Sequence, residues 1–321
     1  MGNALFEPPV RKIVFTGSTP VGQRIQATAA RNLIPAVMEL GGKDPMIVCA
    51  DADLELASAG AVWGAFTNAG QVCASVERVY VARPVYQAFV DRVVARTRAL
   101  RVGPDTDFNV DMGPVISNEQ LMIVDEHVRE AQARGATALT GGRRVDRPGY
   151  FFEPTVLVDV DHTMKVMREE TFGPVLPIMP FDTEDEAVTL ANDTVFGLTA
   201  SVWTRDRERG DALATRIRAG TVTINDAVYT YGVCETPWQG MGESGVGRSH
   251  SDAGLLEFVY PKHVNADRSP AFLKRRAWWF PYSKAGYETQ GLAMKAFLKA
   301  SALPRFLYEL ARRKDYRKTL Y

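Results

Sequence analysis

The sequence predicts an α/β fold, with an open, largely parallel, twisted sheet flanked by helices. Three observations carry that reading. From Arg11 to about Thr223, short β-rich runs alternate with helix-spaced segments, the order expected of βα units. Glycine-containing turns punctuate the alternation. The 321 residues are 46% hydrophobic and 24% charged, enough apolar material to fill the core of roughly two domains.

The elements follow in order. Lys12-Ile13-Val14-Phe15-Thr16 is a strand, and Val21 to Arg31 has helical spacing. Ile34 to Leu40 and Met46 to Ala50 are strand-like. Asp53 to Asn68 is a helix begun by an Asp cap, with its alanines, leucines and Trp63 expected on the apolar face. Arg78 to Ala82 is a strand and Val85 to Leu100 an amphipathic helix. Ser117 opens a helix that Gly135 closes. The strands Val175 to Phe181, Leu198 to Trp203 and Thr221 to Asn225 follow, with helices capped by Thr183 and Asp206 between them. Glu235 to Gly254 is glycine-rich and aperiodic, so it reads as a long loop or bulged turn.

Composition excludes several classes. With 38 basic and 38 acidic side chains the chain is not a uniformly basic nucleic-acid binder. Three cysteines, odd in number and far apart, read as reduced thiols of a cytoplasmic protein, and four scattered histidines without HxxxH or CxxC argue against a metal site. The N-terminus lacks the succession of a secretory leader, and the longest apolar run, Leu56 to Phe66, is far short of the ~20 residues that span a bilayer.

Four stretches could carry chemistry. Glu39-Leu40-Gly41-Gly42-Lys43 puts a carboxylate at a strand end before paired glycines, where the backbone can approach a ligand closely; a solvated Glu39 in an ordinary turn is the plainer reading. Gly70-Gln71-Val72-Cys73 places a thiol past a helix and a glycine turn, followed by small residues. Access and a lowered pKa would make it reactive; otherwise it is a small buried hydrophobe, the reading that suits Cys49. Phe15 to Gly22 leads from a strand through Gly17-Ser18 into a helix N-terminus, a weak anion cradle that is neither a P-loop nor GxGxxG. Glu169-Glu170-Thr171-Phe172-Gly173-Pro174 sets acids before an aromatic residue and a Gly-Pro turn, or is only a solvated helix end.

In their fixed order, together with Glu243-Ser244-Gly245-Val246-Gly247-Arg248, these runs resemble the aldehyde dehydrogenase superfamily over about residues 5–265. The resemblance implies oxidation of an aldehyde to a carboxylic acid with NAD or NADP. It makes Cys73 the nucleophile that forms a thiohemiacetal and then a thioester, and Glu39 the base that activates the hydrolytic water. The Cys73 backbone N–H would donate to the oxyanion. Gly17 and Ser18 would lie near the cofactor pyrophosphate, Glu170 would hold the nicotinamide ribose, Phe172 would line the nicotinamide, and Asn225 would lie near the active site.

The resemblance also implies a partition. Residues 1–40 would be a remnant of a Rossmann-like cofactor-binding domain, 41–240 the catalytic thiol domain, 241–267 a return loop with an oligomerisation-type strand, and 268–321 a tail. Full-length members are longer upstream, so this chain is expected to be a C-terminal portion with impaired activity, partnered by a homo-oligomer or by a chain supplying the N-terminal half. Rival readings are an inactive fragment serving as an oligomerisation or binding module, and a cofactor-independent thiol esterase using Cys73 and Glu39. Residues 268–321 carry 13 basic and three acidic side chains, a net charge of +10. Trp278-Trp279-Phe280 precedes apolar residues interleaved with cations, as in a helix lying on a membrane surface or docked on protein, so peripheral membrane contact through residues 278–321 is an expectation.

Overall fold

Residues 10–104, 108–266, 282–299, 303–304 and 307–308 are described by the structure, a computed structural model. In chain order the elements are β1 (Ile13–Thr16), α1 (Thr19–Arg31), β2 (Ala36–Glu39), β3 (Asp44–Val48), α2 (Leu54–Phe66), β4 (Val76–Ala82), α3 (Tyr86–Arg98), α4 (Asn118–Ala133), β5 (Thr137–Thr140) and β6 (Thr155–Val158). There follow α5 (Lys165–Arg168), β7 (Val175–Phe181), α6 (Glu184–Asn192), β8 (Thr199–Trp203), α7 (Arg207–Ala214), β9 (Thr221–Ile224), β10 (Gly245–Val246), α8 (Ser251–Leu256) and α9 (Lys284–Leu298).

The strands form two sheets. Seven lie in the order β5-β6-β7-β4-β3-β8-β9, and every neighbouring pair is parallel except β5–β6. Its central strands β3, β4 and β8 are buried along their whole length, as parallel strands covered on both faces must be. A three-stranded sheet in the order β1-β2-β10 holds β1 and β2 in parallel, with β10 antiparallel to β2. Chain contacts divide the molecule into Met1–Tyr260 and Pro261–Tyr321, so both sheets belong to one compact unit.

The caps act as the sequence indicates. Asp53 accepts the N–H groups of Glu55 and Leu56, Ser117 that of Gln120, Thr183 that of Glu186 and Asp206 that of Arg209. Two expectations are corrected. Trp63 is 51% exposed, because α2 packs on the sheet through Ala57, Ala61 and Ala65, which let it approach closely. A Cβ at Gly60 would collide with the Trp203 ring. Glu235 to Gly254 is not only loop: it holds β10, whose Gly245 pairs with Glu39, and the start of α8. A two-residue strand has no period to read. Strands β5 and β6 and helix α5, each four residues long, were not read from the sequence pattern.

In the second unit α9 begins at a Ser283 cap. Trp278-Trp279-Phe280 and the distal cations Arg312 and Arg313 lie outside the described residues. Among the described residues no helix is long and apolar enough to cross a membrane, and no cluster of side chains could hold a metal ion.

Candidate active site

A cavity of about 820 Å³ opens where β1, β2 and the N-terminus of α1 meet the turns that precede β4 and β7. Gly17, Ser18, Glu39, Cys73, Glu170 and Phe172 all line it. Residues up to 155 positions apart in the chain thus converge on one space.

Cys73 is delivered by a strained turn. After α2, Asn68, Ala69 and Gly70 take φ values of 50, 55 and 72°, a left-handed stretch that costs non-glycine residues ~1–3 kcal/mol each. Side-chain bonds hold it: Asn68 Nδ2 donates to the Gln71 carbonyl and Gln71 Nε2 to the Asn68 carbonyl, each at 3.0 Å, while Gln71 Oε1 accepts the Ile116 N–H at 2.8 Å. Cys73 emerges half-buried, its sulfur receiving the Ala74 backbone N–H. The lowered pKa that the sequence reading asks of a reactive thiol is not found. Burial, with the Asp44, Glu170 and Glu39 carboxylates adding repulsion, pushes the thiol up to about 11. Cys49 is 2% exposed and lies higher still, at about 12 because of burial. Cys234 is exposed, and all three cysteines are free.

Glu39 ends β2 half-buried. Ser249 Oγ donates to its Oε1 at 2.7 Å, and the Trp238 indole and the His250 ring stand close by. Trp238 and Ser249 are themselves locked by reciprocal backbone bonds at 2.9 Å, and Tyr231 packs its ring on both Trp238 and His250. Burial raises the Glu39 carboxyl, and these partners pull against that rise. Its Oε2 is buried without a protein hydrogen-bond partner among the described residues. A buried carboxylate oxygen left unmatched is suited to a water or a substrate proton. Neither Ser249 nor Trp238 was singled out from sequence, since each lies about 200 positions from Glu39.

Glu170 faces the same space. Its Oε1 accepts the Gly42 N–H at 3.2 Å, and a Cβ at Gly41 would collide with its carboxylate, so the paired glycines leave room for this acid. Burial, reinforced by the nearby Glu77 charge, raises Glu170 to about 7. Phe172 sits at φ 48°. Gly17 and Ser18 form the entry to α1, where Ser18 is the N-cap and a 13-residue helix directs its positive end at the cavity. A helix N-terminus, a carboxylate able to accept ribose hydroxyls and an aromatic wall fit the nicotinamide half of a dinucleotide.

Asn225 has a structural role at the end of β9. It is absent from the cavity lining. Its Oδ1 accepts the Thr204 N–H at 3.0 Å and its Nδ2 donates to the Thr204 carbonyl at 2.8 Å, so both ends of the amide tie the end of β9 to that of β8. Its φ of 58° suits an asparagine in a tight corner.

The Aldehyde dehydrogenase family model matches residues 1–264. The chain belongs to the aldehyde dehydrogenase family. It is 45% identical over 276 residues to the 4,4'-diapolycopene aldehyde oxidase of a Methylomonas species, covering 86% of this chain and 51% of that protein. It is 42% identical over 258 residues to a Mycolicibacterium smegmatis protein named as an NADP(+) succinate-semialdehyde dehydrogenase, covering 80% of this chain and 50% of the relative. Among solved structures, the betaine aldehyde dehydrogenase of Staphylococcus aureus in complex with NAD+ superposes with a TM-score of 0.79 at 37% identity, covering 82% of this chain and 53% of that one. The chain spans about half the length of each of these aldehyde dehydrogenase family members.

Proposed function

We propose that this chain carries the thiol, the base and the nicotinamide-facing wall of an aldehyde dehydrogenase that oxidises an aldehyde to a carboxylic acid with NAD or NADP. The observation that carries the reading is the shared cavity: Cys73, Glu39, Glu170, Phe172 and the Gly17-Ser18 helix entry all line it. The family relatives named for NAD+ and for NADP(+) support either coenzyme.

In this reading the Cys73 sulfur, as thiolate, adds to the aldehyde carbonyl carbon and forms a thiohemiacetal. When bound, the dinucleotide supplies the hydride acceptor that turns this adduct into a thioester. Glu39 then takes a proton from water, whose oxygen adds to the thioester carbonyl, and the Cys73 thiolate leaves as the acid is released. Burial raises the Glu39 carboxyl, which strengthens it as a proton acceptor. Glu170 would hold the ribose, Phe172 would line the nicotinamide, and Gly17 and Ser18 would lie by the pyrophosphate.

The proposal keeps residues 1–40 as part of a cofactor-binding domain, 41–240 as the catalytic domain, 241–267 as the return loop and 268–321 as a basic tail. Assembly as a homo-oligomer, or with a chain that adds strands beside β1, belongs to it; β1 pairs only with β2 among the described residues, and Val14 is half exposed. Three free cysteines support a cytoplasmic location. Exposed Phe297 and Leu298 beside Lys295 and Lys299 support peripheral membrane contact through residues 278–321, which co-sedimentation with anionic vesicles would test.

The deciding experiment pairs two assays. p-Nitrophenyl acetate should acetylate Cys73, located by peptide mass, and an aldehyde panel should generate NAD(P)H. Acetylation without NAD(P)H, unchanged when a chain supplying the N-terminal half is added, would favour the cofactor-independent thiol esterase. Failure of both would leave only an oligomerisation or binding module.

A further inference from the structure

Strand β4 opens with two charged residues inside an otherwise apolar, fully buried strand: Glu77 is 5% exposed and Arg78 0%. Arg78 serves the scaffold. Its Nε donates to the Lys43 carbonyl at 2.8 Å, and its guanidinium reaches the Leu190 and Ala191 carbonyls at 3.1 and 2.9 Å. Glu77 reaches instead to the wall of the cavity. Its Oε2 accepts the Thr171 N–H at 2.9 Å and its Oε1 accepts the Phe172 N–H at 2.9 Å. The Lys43 ammonium donates to Oε2 at 2.5 Å and to Thr171 Oγ1 at 3.2 Å, and His127 Nδ1 lies 3.2 Å from the same hydroxyl.

An ionised carboxylate is the side chain this arrangement requires. Two backbone N–H groups and an ammonium converge on it, and every one is a donor. An amide of the same shape would turn an NH₂ toward one of them and leave Lys43 buried without a counter-charge. The clamp also falls where the backbone needs holding, since Phe172 occupies the left-handed region with φ 48°. The two residues that face the cavity, Glu170 and Phe172, flank the clamped Thr171.

We propose that Glu77, paired with Lys43, is a positioning residue that fixes the Thr171–Phe172 backbone and thereby aims the Glu170 carboxylate and the Phe172 ring at a nicotinamide nucleotide. The identity of that ligand rests on the proposed function; the clamp itself does not. Cys73 and Glu39 are held by other bonds, those of the Asn68–Gln71 turn and of Ser249, so loss of the clamp should separate cofactor handling from thiol chemistry.

The test compares the wild-type chain with Glu77→Gln, and with the double variant Glu77→Gln/Lys43→Met, which keeps the interior neutral if the single variant folds poorly. Amide hydrogen exchange over residues 170–174, acetylation of Cys73 by p-nitrophenyl acetate, and the KM for NAD+ and NADP+ are read in parallel. The Thr171 and Phe172 amides should exchange at least about tenfold faster while β7 stays protected, the cofactor KM should rise about tenfold or more, and acetylation should stay within about threefold. Unchanged amide protection, or acetylation falling as steeply as cofactor use, would overturn the assignment. If the wild-type chain on its own neither binds nor reduces NAD(P)+, the cofactor readout is taken with the N-terminal half supplied as a second chain, and the exchange data decide whether Glu77 holds the turn.

Discussion

A pH titration of Cys73 alkylation measures directly how the cavity treats its thiol. Burial and three surrounding carboxylates carry the thiol from 9.0 to about 11. Two units lower the thiolate fraction at neutral pH about a hundredfold. The scarcer thiolate is also the more basic one, and at a Brønsted slope of about 0.4–0.5 the same two units return roughly six- to tenfold in nucleophilicity. Cys73 should therefore alkylate about 10- to 16-fold more slowly at pH 7 than an unperturbed thiol. The logarithm of the rate should climb with pH until about pH 10, less steeply over the interval near 7 in which Glu170 ionises.

Glu170 provides the perturbation. It titrates at about 7, so its repulsion of the thiolate is switched on only as pH rises through that value. Wild type and Glu170→Gln should alkylate Cys73 alike near pH 5.5, where Glu170 is neutral, and the variant should pull ahead above about pH 8. The assay uses limiting iodoacetamide, timed quenching and peptide mass mapping. Buried Cys49 should stay unlabelled in the folded protein, whereas exposed Cys234 labels on its own schedule. A plateau below pH 9, or a Glu170→Gln variant slower than wild type at high pH, would refute the reasoning.

Three further outcomes are expected. Glu39→Gln should still acetylate at Cys73 but release acetate about 10²–10⁴-fold more slowly, read as acyl-enzyme lifetime by mass; loss of acylation itself in a folded variant would remove Glu39 from the deacylation step. Ser249→Ala deletes a 2.7 Å bond that favours the charged carboxylate, so Glu39 should rise further. Because the base works ionised, deacylation falls as pH drops through the Glu39 pKa, and in Ser249→Ala that acid limb should move to higher pH; an unmoved limb contradicts the coupling. Gly70→Ala forces a side chain onto φ 72° and against the Gly173 carbonyl, and should destabilise the fold by about 1–3 kcal/mol, seen as a lower thermal midpoint; an unchanged midpoint would show that the turn relaxes freely.

Much of the fold was legible because it is written in local chemistry. Asp53, Ser117, Thr183 and Asp206 each cap the helix their position announces, since a cap needs only a side-chain oxygen two or three residues from free N–H groups. The central strands read clearly because burial on both faces demands a continuous apolar run. Where local chemistry is silent the reading failed. Strand β10 is two residues long and exists only because Glu39 and Met38 stand opposite Gly245 and Val246. Trp63 looked like core by its hydrophobicity, yet close packing of α2 selected the alanine face.

The sequence by itself determined the capped helices and the central strands, and which residue types could carry chemistry: a thiol after a glycine turn, a carboxylate before paired glycines, an acid and an aromatic residue before Gly-Pro. Only the tertiary structure decided what those residues experience. It joined Ser249 to Glu39 across 210 positions and Glu77 to Thr171 across 94, and it turned Asn225 toward Thr204. It also set Cys73 high and Glu170 near neutrality. A pKa or a hydrogen-bond partner depends on burial and on charges brought close by folding, and neither has a period along the chain.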